Sequence, residues 1–199
     1  MEKQGILFIV SGPAGSGKGT VVSELRKIMP DVGVSVSATT RAPRPGEVCG
    51  VNYHFTTRAD FEGKIAAGEV LEYTEYLGNY YGTLRSEVER LLGEGRDVIL
   101  ESAAQIKRSF PDSVAVMLIP PDSTTLERRL RGRGTETEEV ILRRLERARE
   151  ELKSVGAYDY VVINGEGEVE RCAGSIRSII EAEHCSRTRM EETVGGFFG

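Results

Sequence analysis

A glycine-rich run near the amino terminus has the spacing of a phosphate-binding loop. It reads Gly12-Pro13-Ala14-Gly15-Ser16-Gly17-Lys18-Gly19-Thr20, with four residues between the first glycine and the Gly-Lys pair. In this pattern, backbone N–H groups surround a nucleotide phosphate and the lysine reaches its terminal oxygens. The alternative is a glycine-rich turn with an incidental lysine. The apolar strand predicted over Ile6 to Val10 and the helix predicted over Lys18 to Met29 argue against it, because the phosphate loop requires both.

The residue after the lysine departs from the usual form of this loop. Ser or Thr is expected there, whereas Gly19 occupies the position and Thr20 follows. The order Gly-Lys-Gly-Thr resembles that of the nucleoside monophosphate kinases. The resemblance implies that Thr20 contacts phosphate. It also implies that Mg²⁺ is held mainly through water and the nucleotide, and it assigns no direct protein ligand.

Two arginines lie three residues apart around a proline turn, Arg41 and Arg44 in the segment Ser35 to Glu47. Two guanidinium groups converging from one loop suit the several oxygens of a phosphate monoester. Solvated surface charge is the alternative, and the arginines alone do not decide between the two. The segment is therefore a candidate site for a second phosphate group.

Glu72 lies in a strand predicted over Val70 to Tyr76, and Tyr80 and Tyr81 follow shortly after. A carboxylate there can accept paired hydrogen bonds from the N1–H and 2-amino groups of guanine, an edge that adenine lacks. Tyrosine hydroxyls can bind a phosphate, although packing in a core or hairpin is the alternative for both tyrosines.

Several of these segments together are similar to guanylate kinases. The similar segments are V-S-A-T-T-R-A-P-R-P-G-E, G-V-N-Y, G-E-V-L-E-Y, G-N-Y-Y-G-T, R-G-R-G-T-E-T-E-E and Y-D-Y-V-V-I-N, and the likeness extends to about Glu183. The resemblance implies that the GMP phosphate is held by Ser37, Arg41, Arg44, Tyr53 and Tyr81. It implies that guanine is recognised by Glu72 and Thr83 with help from Ser37, and that Asn164 frames the adenine of ATP.

The chain departs from the family pattern after the strand predicted over Asp97 to Glu101. About four residues of the pattern are missing there, including an aspartate that contacts guanine in the family. A natural shortening, an engineered change and residues absent from the printed sequence are the three explanations. Glu101 then remains as the carboxylate at the strand end, and we include it among the GMP-binding residues.

Arginines also mark a candidate lid. Arg131 and Arg133 lie among glycines, and Arg144 lies in a helix predicted over Thr137 to Ser154. Arg144 has no acidic residue three or four positions away, whereas Arg143 and Arg147 can each form a surface pair with a glutamate. We therefore predict that Arg144, with Arg131 and Arg133, stabilises transition-state charge beside Lys18. A solvated helix face is the alternative.

Further strands are predicted over Val34 to Thr39, Val114 to Ile119 and Tyr160 to Ile163, and a further helix over Ala103 to Phe110. The order of elements predicts an α/β fold with a P-loop NTPase-type parallel sheet core and helices on both faces. An inserted, mostly antiparallel GMP-binding subdomain and a small helical lid complete it. We assign the core to residues 1–33, 84–130 and 149–184, the insertion to 34–83 and the lid to 131–148 of a single domain. The polar tail, 185–199, is expected to be mobile.

Composition narrows the class of protein. The chain has 199 residues, a net charge of −5 and three widely spaced cysteines, Cys49, Cys172 and Cys185. We expect reduced thiols, a cytoplasmic location, no nucleic-acid partner and no membrane partner. The resemblance implies a kinase of purine nucleotide metabolism that uses ATP, GMP and Mg²⁺, with dGMP as a further acceptor. Monomer and homodimer both stay open. A non-catalytic binding module and a kinase with another acceptor are the alternative functions.

Overall fold

The structure is a computed structural model that describes residues 5–101, 104–132 and 137–196. The strands are β1 (Leu7–Ser11), β2 (Gly33–Val34), β3 (Ala38–Thr39), β4 (His54–Phe55), β5 (Val70–Tyr76), β6 (Asn79–Leu84), β7 (Val98–Glu101), β8 (Val114–Ile119) and β9 (Tyr160–Ile163). The α-helices are α1 (Lys18–Ile28), α2 (Arg58–Ala66), α3 (Arg85–Gly93), α4 (Ser123–Arg131), α5 (Glu138–Lys153), α6 (Val169–His184) and α7 (Arg187–Gly195). Two short 3₁₀ helices cover Ala104–Arg108 and Val155–Ala157.

Five strands form one sheet in the order β2-β7-β1-β8-β9, and its pairs β2–β7, β7–β1 and β8–β9 run parallel. Strands buried on both faces read as continuous apolar runs, as in β1 and β8. The predicted α/β class with a parallel sheet is therefore confirmed. No helix within the described ranges is both long and apolar enough to cross a membrane.

The chain divides into two compact units, and the first comprises Met1–Val10 and Asp31–Ala115. It contains a second sheet in the order β4-β3-β6-β5, in which β5 and β6 form an antiparallel hairpin. The two turn residues, Leu77 and Gly78, have φ of 49° and 75°, the positive values that a tight hairpin turn requires. A core cluster packs α3 against β1 and β7 and contains Leu7, Ile9, Val88, Leu91, Val98, Leu100 and Ile106.

The second unit comprises Ser11–Pro30 and Val116–Gly199. Helix α1 packs on α6, and both bury their apolar faces. A smaller cluster, which joins α4 to α5, contains Leu126, Leu130, Ile141 and Ala148. Asp122 caps α4, because its side chain accepts a hydrogen bond from the Thr125 N–H at 2.6 Å. The hydrogen bond from this N–H is the largest cause of the lowered pKa of Asp122.

The observed elements differ from the predicted ones at three places. The strand expected over Val34 to Thr39 is two short strands, because β2 pairs with β7 whereas β3 pairs with β4 and β6. Strand β6 was not predicted. The helix expected over Ala103 to Phe110 is the 3₁₀ helix Ala104–Arg108, and its turn ends before Pro111. Within the polar tail, Arg187–Gly195 forms α7.

Candidate active site

The glycine-rich run forms a loop between β1 and α1, and glycine is required at two of its positions. Gly12 has φ of 143°, and a Cβ there would lie 2.0 Å from the Leu118 carbonyl oxygen. Gly17 has φ of 90°, and a Cβ there would lie 2.5 Å from Asn164 Nδ2. Both positions therefore need glycine for its backbone conformation and for close packing.

Helix α1 begins directly after this loop, and its amino terminus suits an anion. Gly17 is the N-cap, no side chain of the described residues caps the helix, and its first turn contains no acidic residue. The first N–H groups of a helix lack intrahelical partners, and the helix dipole favours negative charge there. Lys18 follows the cap, and its Nζ donates to the Gly12 carbonyl and, at 3.3 Å, to the Pro13 carbonyl. The ammonium group is thus held at the loop.

Asn164, predicted to frame adenine, contacts the phosphate loop. It is 3% exposed and its Nδ2 donates to the Ser16 carbonyl at 2.8 Å. Asn164 lies in the segment that follows β9. Arg129 of α4 holds this segment, because its Nη2 donates to the Asn164 and Gly165 carbonyls, each at 3.0 Å. Sequence reasoning missed Arg129, which stands in the run Arg128-Arg129-Leu130-Arg131 without a distinguishing pattern.

The candidate lid arginines have different surroundings. Arg131 donates to Glu127 at 2.9 and 2.8 Å and binds both oxygens of Glu138, one of them at 2.7 Å. Its pKa is raised, chiefly by the hydrogen bond to Glu138 and then by that to Glu127. Arg144 is half-buried on α5, whereas Arg133 lies outside the described residues. The predicted surface pairs Arg143–Glu139 and Arg147–Glu151 are confirmed at 2.9 and 3.0 Å.

In the first unit, Arg41 is held by a carboxylate. Its Nη2 donates to the two oxygens of Glu47 at 2.8 and 3.0 Å, and Glu47 also accepts from the Arg44 N–H at 2.7 Å. The pKa of Glu47 is lowered, first by the Arg41 hydrogen bond and then by the Arg44 N–H. The proline turn is thus closed around Glu47, while the Arg44 side chain is exposed.

Two predicted tyrosines lie beside Arg41. The Arg41 Cζ atom is 5.5 Å from the centroid of the Tyr53 ring, and the Tyr53 and Tyr81 rings pack edge to face with centroids 5.9 Å apart. The Ser37 carbonyl accepts a hydrogen bond from the His54 N–H at 2.9 Å. This bond joins Ser37 to β4, next to Tyr53. The structure therefore gathers the guanidinium group of Arg41 and two phenols, groups that can donate to a phosphate.

The two predicted guanine-reading residues are opposite each other in the hairpin. Glu72 of β5 pairs in register with Thr83 of β6, and Thr83 is almost fully buried. Because side chains two residues apart share one face of a strand, Tyr81 and Thr83 point to the same side of β6. Glu101 is exposed at the carboxyl end of β7, on the other sheet of this unit.

Comparisons with known proteins show which proteins this chain is similar to. The guanylate kinase family model matches residues 4–183. Curated relatives described as guanylate kinase include one from Halalkalibacterium halodurans, 50% identical over 96% of both chains. Another, from Lactococcus lactis, is 48% identical over 96% of this chain and 95% of its own. A crystal structure of guanylate kinase from Anaplasma phagocytophilum superposes with a TM-score of 0.68 at 30% identity, covering 99% of this chain and 97% of that chain.

Proposed function

Since this chain belongs to the guanylate kinase family, we propose that the protein transfers the γ-phosphate of ATP to GMP. The products are ADP and GDP. The observation that carries the proposal is the arrangement along β6, where Tyr81 beside Arg41 and Thr83 opposite Glu72 share one face. The Tyr81 end of this face supplies donors for a phosphate, and the Thr83 end lies opposite a carboxylate for guanine.

ATP binds at the phosphate loop of the second unit in this proposal. The loop N–H groups and the amino terminus of α1 take the phosphates, Lys18 neutralises the β- and γ-oxygens and Thr20 contacts phosphate. To do so, the Lys18 ammonium group must leave the Gly12 and Pro13 carbonyls and bind phosphate oxygens instead. Asn164, next to Gly17, frames the adenine.

Mg²⁺ accompanies ATP in this proposal. Within the described ranges, no group of three or more His, Cys, Asp or Glu side chains could hold a metal ion. In the proposal the ligands of the ion are water and nucleotide oxygens, and Mg²⁺ often retains several waters. When bound, the ion neutralises charge on the β- and γ-phosphates.

The reaction needs no covalent intermediate and no general base. A phosphate oxygen of GMP attacks the γ-phosphorus, the bond to the β–γ bridging oxygen breaks, and ADP leaves with that electron pair. The protein contributes orientation and neutralisation of charge. Lys18 and the lid arginines Arg131, Arg133 and Arg144 supply the positive charge.

The test is ADP formation from ATP and Mg²⁺ with GMP, dGMP, AMP, CMP or UMP as the acceptor. We expect GMP to be the preferred acceptor, and Lys18→Ala to abolish transfer while the protein stays folded. Lys27→Ala is the matched control, because Lys27 lies on the same helix and pairs with Glu24 at the surface. A folded wild-type protein without acceptor-dependent ADP formation would be a binding module. A preference for AMP or a pyrimidine nucleotide would contradict the choice of acceptor.

A further inference from the structure

Thr39 is the last residue of β3, the short strand that lies between β4 and β6 in the second sheet of the first unit. Its carbonyl accepts a hydrogen bond from the Thr56 N–H at 2.9 Å, and the residue is fully buried. Its hydroxyl donates to the Tyr80 carbonyl of β6 at 2.9 Å and accepts from the Arg41 N–H at 3.2 Å. One buried hydroxyl therefore joins the backbone of Arg41 to β6.

The next residue, Thr40, marks the point at which the chain leaves this sheet. Its N–H donates to the Tyr80 carbonyl at 3.1 Å, as expected for the next pair of an antiparallel ladder with β6. The reciprocal bond of such a pair would run from the Tyr80 N–H to the Thr40 carbonyl, but this N–H donates to the Thr40 hydroxyl at 2.9 Å. Because a side-chain oxygen takes the place of the backbone acceptor, the backbone can turn away from β6 after Thr40.

The Thr39 hydroxyl orients the residue that follows this point. A threonine hydroxyl that accepts from the N–H two residues later closes a local turn. A hydroxyl has a single proton, and Thr39 donates it to the Tyr80 carbonyl, so the oxygen offers its lone pairs to the Arg41 N–H. The backbone of Arg41 is thus oriented by a buried group, whereas its guanidinium group is held by Glu47.

We propose that Thr39 is a positioning residue of the acceptor site, which directs Arg41 toward the phosphate of the acceptor nucleotide. Thr39 is 0% exposed, and its hydroxyl bonds only to backbone groups of the described residues, so it acts through Arg41 and does not touch the substrate. The kinetic part of this inference rests on the proposed kinase function. Its structural part, the ordering of the Arg41 backbone, does not.

Thr57 provides a matched control in the same unit. Its hydroxyl also accepts from a backbone N–H, that of Asp60 at 3.1 Å, and donates to the Asp60 carboxylate at 2.6 Å. These bonds cap α2, a helix that contains none of the predicted substrate-binding residues. Thr57→Val therefore removes the same kind of hydroxyl and lowers stability, as the loss of a helix cap does, without changing the backbone of Arg41.

The experiment compares Thr39→Val, Thr39→Ser and Thr57→Val by kcat, by KM for each substrate and by hydrogen exchange of the Arg41 amide in the substrate-free protein. In Thr39→Val we expect KM for GMP to rise by about three- to tenfold, the usual effect of one lost hydrogen bond. KM for ATP and kcat should stay close to wild type, and the Arg41 amide should exchange faster. Thr39→Ser should recover the wild-type values, because it keeps the hydroxyl. Thr57→Val should change neither KM for GMP nor the exchange of this amide.

A double variant tests whether Thr39 acts through Arg41. Adding Thr39→Val to Arg41→Ala should raise KM for GMP no further, because residues that act through one another are not additive. Three results would overturn the inference: independent, additive effects in the double variant, unchanged exchange of the Arg41 amide in Thr39→Val, or an equal rise of KM for GMP in Thr57→Val. The last would mean that KM follows general stability.

Two further outcomes are also decided. Should Thr39→Val not fold, Thr39→Ala takes its place with the same expected results, since it also lacks the hydroxyl. If the wild-type protein transfers no phosphate, the proposed function fails. Exchange of the Arg41 amide then still decides the structural part, because faster exchange in Thr39→Val supports it and unchanged exchange contradicts it.

Discussion

Thr83 Oγ1 lies 3.4 Å from Glu72 Oε1 and donates to it across the β5–β6 hairpin. Strand pairing places the two residues opposite each other, and Glu72 is half-buried. The buried Thr83 hydroxyl thus holds the Glu72 carboxylate in place. A base that offers two adjacent donors can be read by such a pair.

Glu72→Gln should narrow the preference for GMP over AMP. The amide can no longer accept two hydrogen bonds from the N1–H and 2-amino groups. We expect kcat/KM for GMP to fall by about ten- to a hundredfold, with little change for AMP. The measurement is the ratio of kcat/KM for the two acceptors. Glu75→Gln is the control, since Glu75 lies on the same strand and pairs with Arg58 at 3.2 Å. An unchanged ratio would show that Glu72 does not read the base.

The parallel sheet was predictable because its strands are apolar runs bounded by turn residues. The runs at Val114 to Ile119 and Tyr160 to Ile163 match β8 and β9 residue for residue. Strand β6 escaped prediction because its hairpin turn is Leu77-Gly78. Leucine rarely adopts the positive φ that this turn imposes, so the usual Asn-Gly signal is absent.

The candidate sites also differ in how far the sequence alone predicts them. The phosphate loop follows from local spacing, because backbone N–H groups bind phosphate wherever a strand, this loop and a helix occur in sequence. The Arg41–Glu47 pair and the Arg129 bonds depend on how the chain returns on itself. An arginine in a run of arginines on a helix predicts a solvated face, and only the tertiary structure shows which one is directed inward.

Arg41→Ala should raise KM for GMP far more than KM for ATP. Arg41 lies beside Tyr53 in the first unit, and loss of a charge-assisted phosphate contact weakens binding by about tenfold or more. The measurement is KM for each substrate with the other saturating. Arg58→Ala is the control, because Arg58 lies in the same unit and is bound to Glu62 and Tyr80. Equal effects on both substrates would assign Arg41 a structural role.

Glu47→Gln tests how Arg41 is oriented. The lowered pKa of Glu47 means that its ion pair with Arg41 is present at neutral pH and is lost only as the pH falls through that lowered pKa. Glu47→Gln should therefore raise KM for GMP at neutral pH, by less than Arg41→Ala does. An unchanged KM for GMP would show that Arg41 binds the phosphate without being oriented by Glu47.

Restoring the missing residues after Glu101 should widen the preference for GMP. The family's aspartate there contacts guanine by resemblance, and Glu101 itself is exposed at the end of β7. Residues 102 and 103 lie outside the described ranges. A charge-assisted hydrogen bond to a base edge is worth about ten- to a hundredfold in discrimination. The measurement is the GMP to AMP ratio of kcat/KM with and without an aspartate-bearing insertion. Identical ratios would show that Glu101 already supplies the missing carboxylate.

Arg131→Met should lower kcat, and Glu138→Gln should not. Arg131 is bound to both Glu127 and Glu138, so it must leave at least one of them to reach a phosphate. Glu138→Gln removes one competitor and should lower KM for ATP or raise kcat. Arg143→Met is the control, because Arg143 forms a single exposed pair with Glu139 on α5. If Arg131→Met and Glu138→Gln both lower Tm and leave kcat unchanged, Arg131 only ties the end of α4 to the start of α5. Its predicted catalytic role would then be wrong.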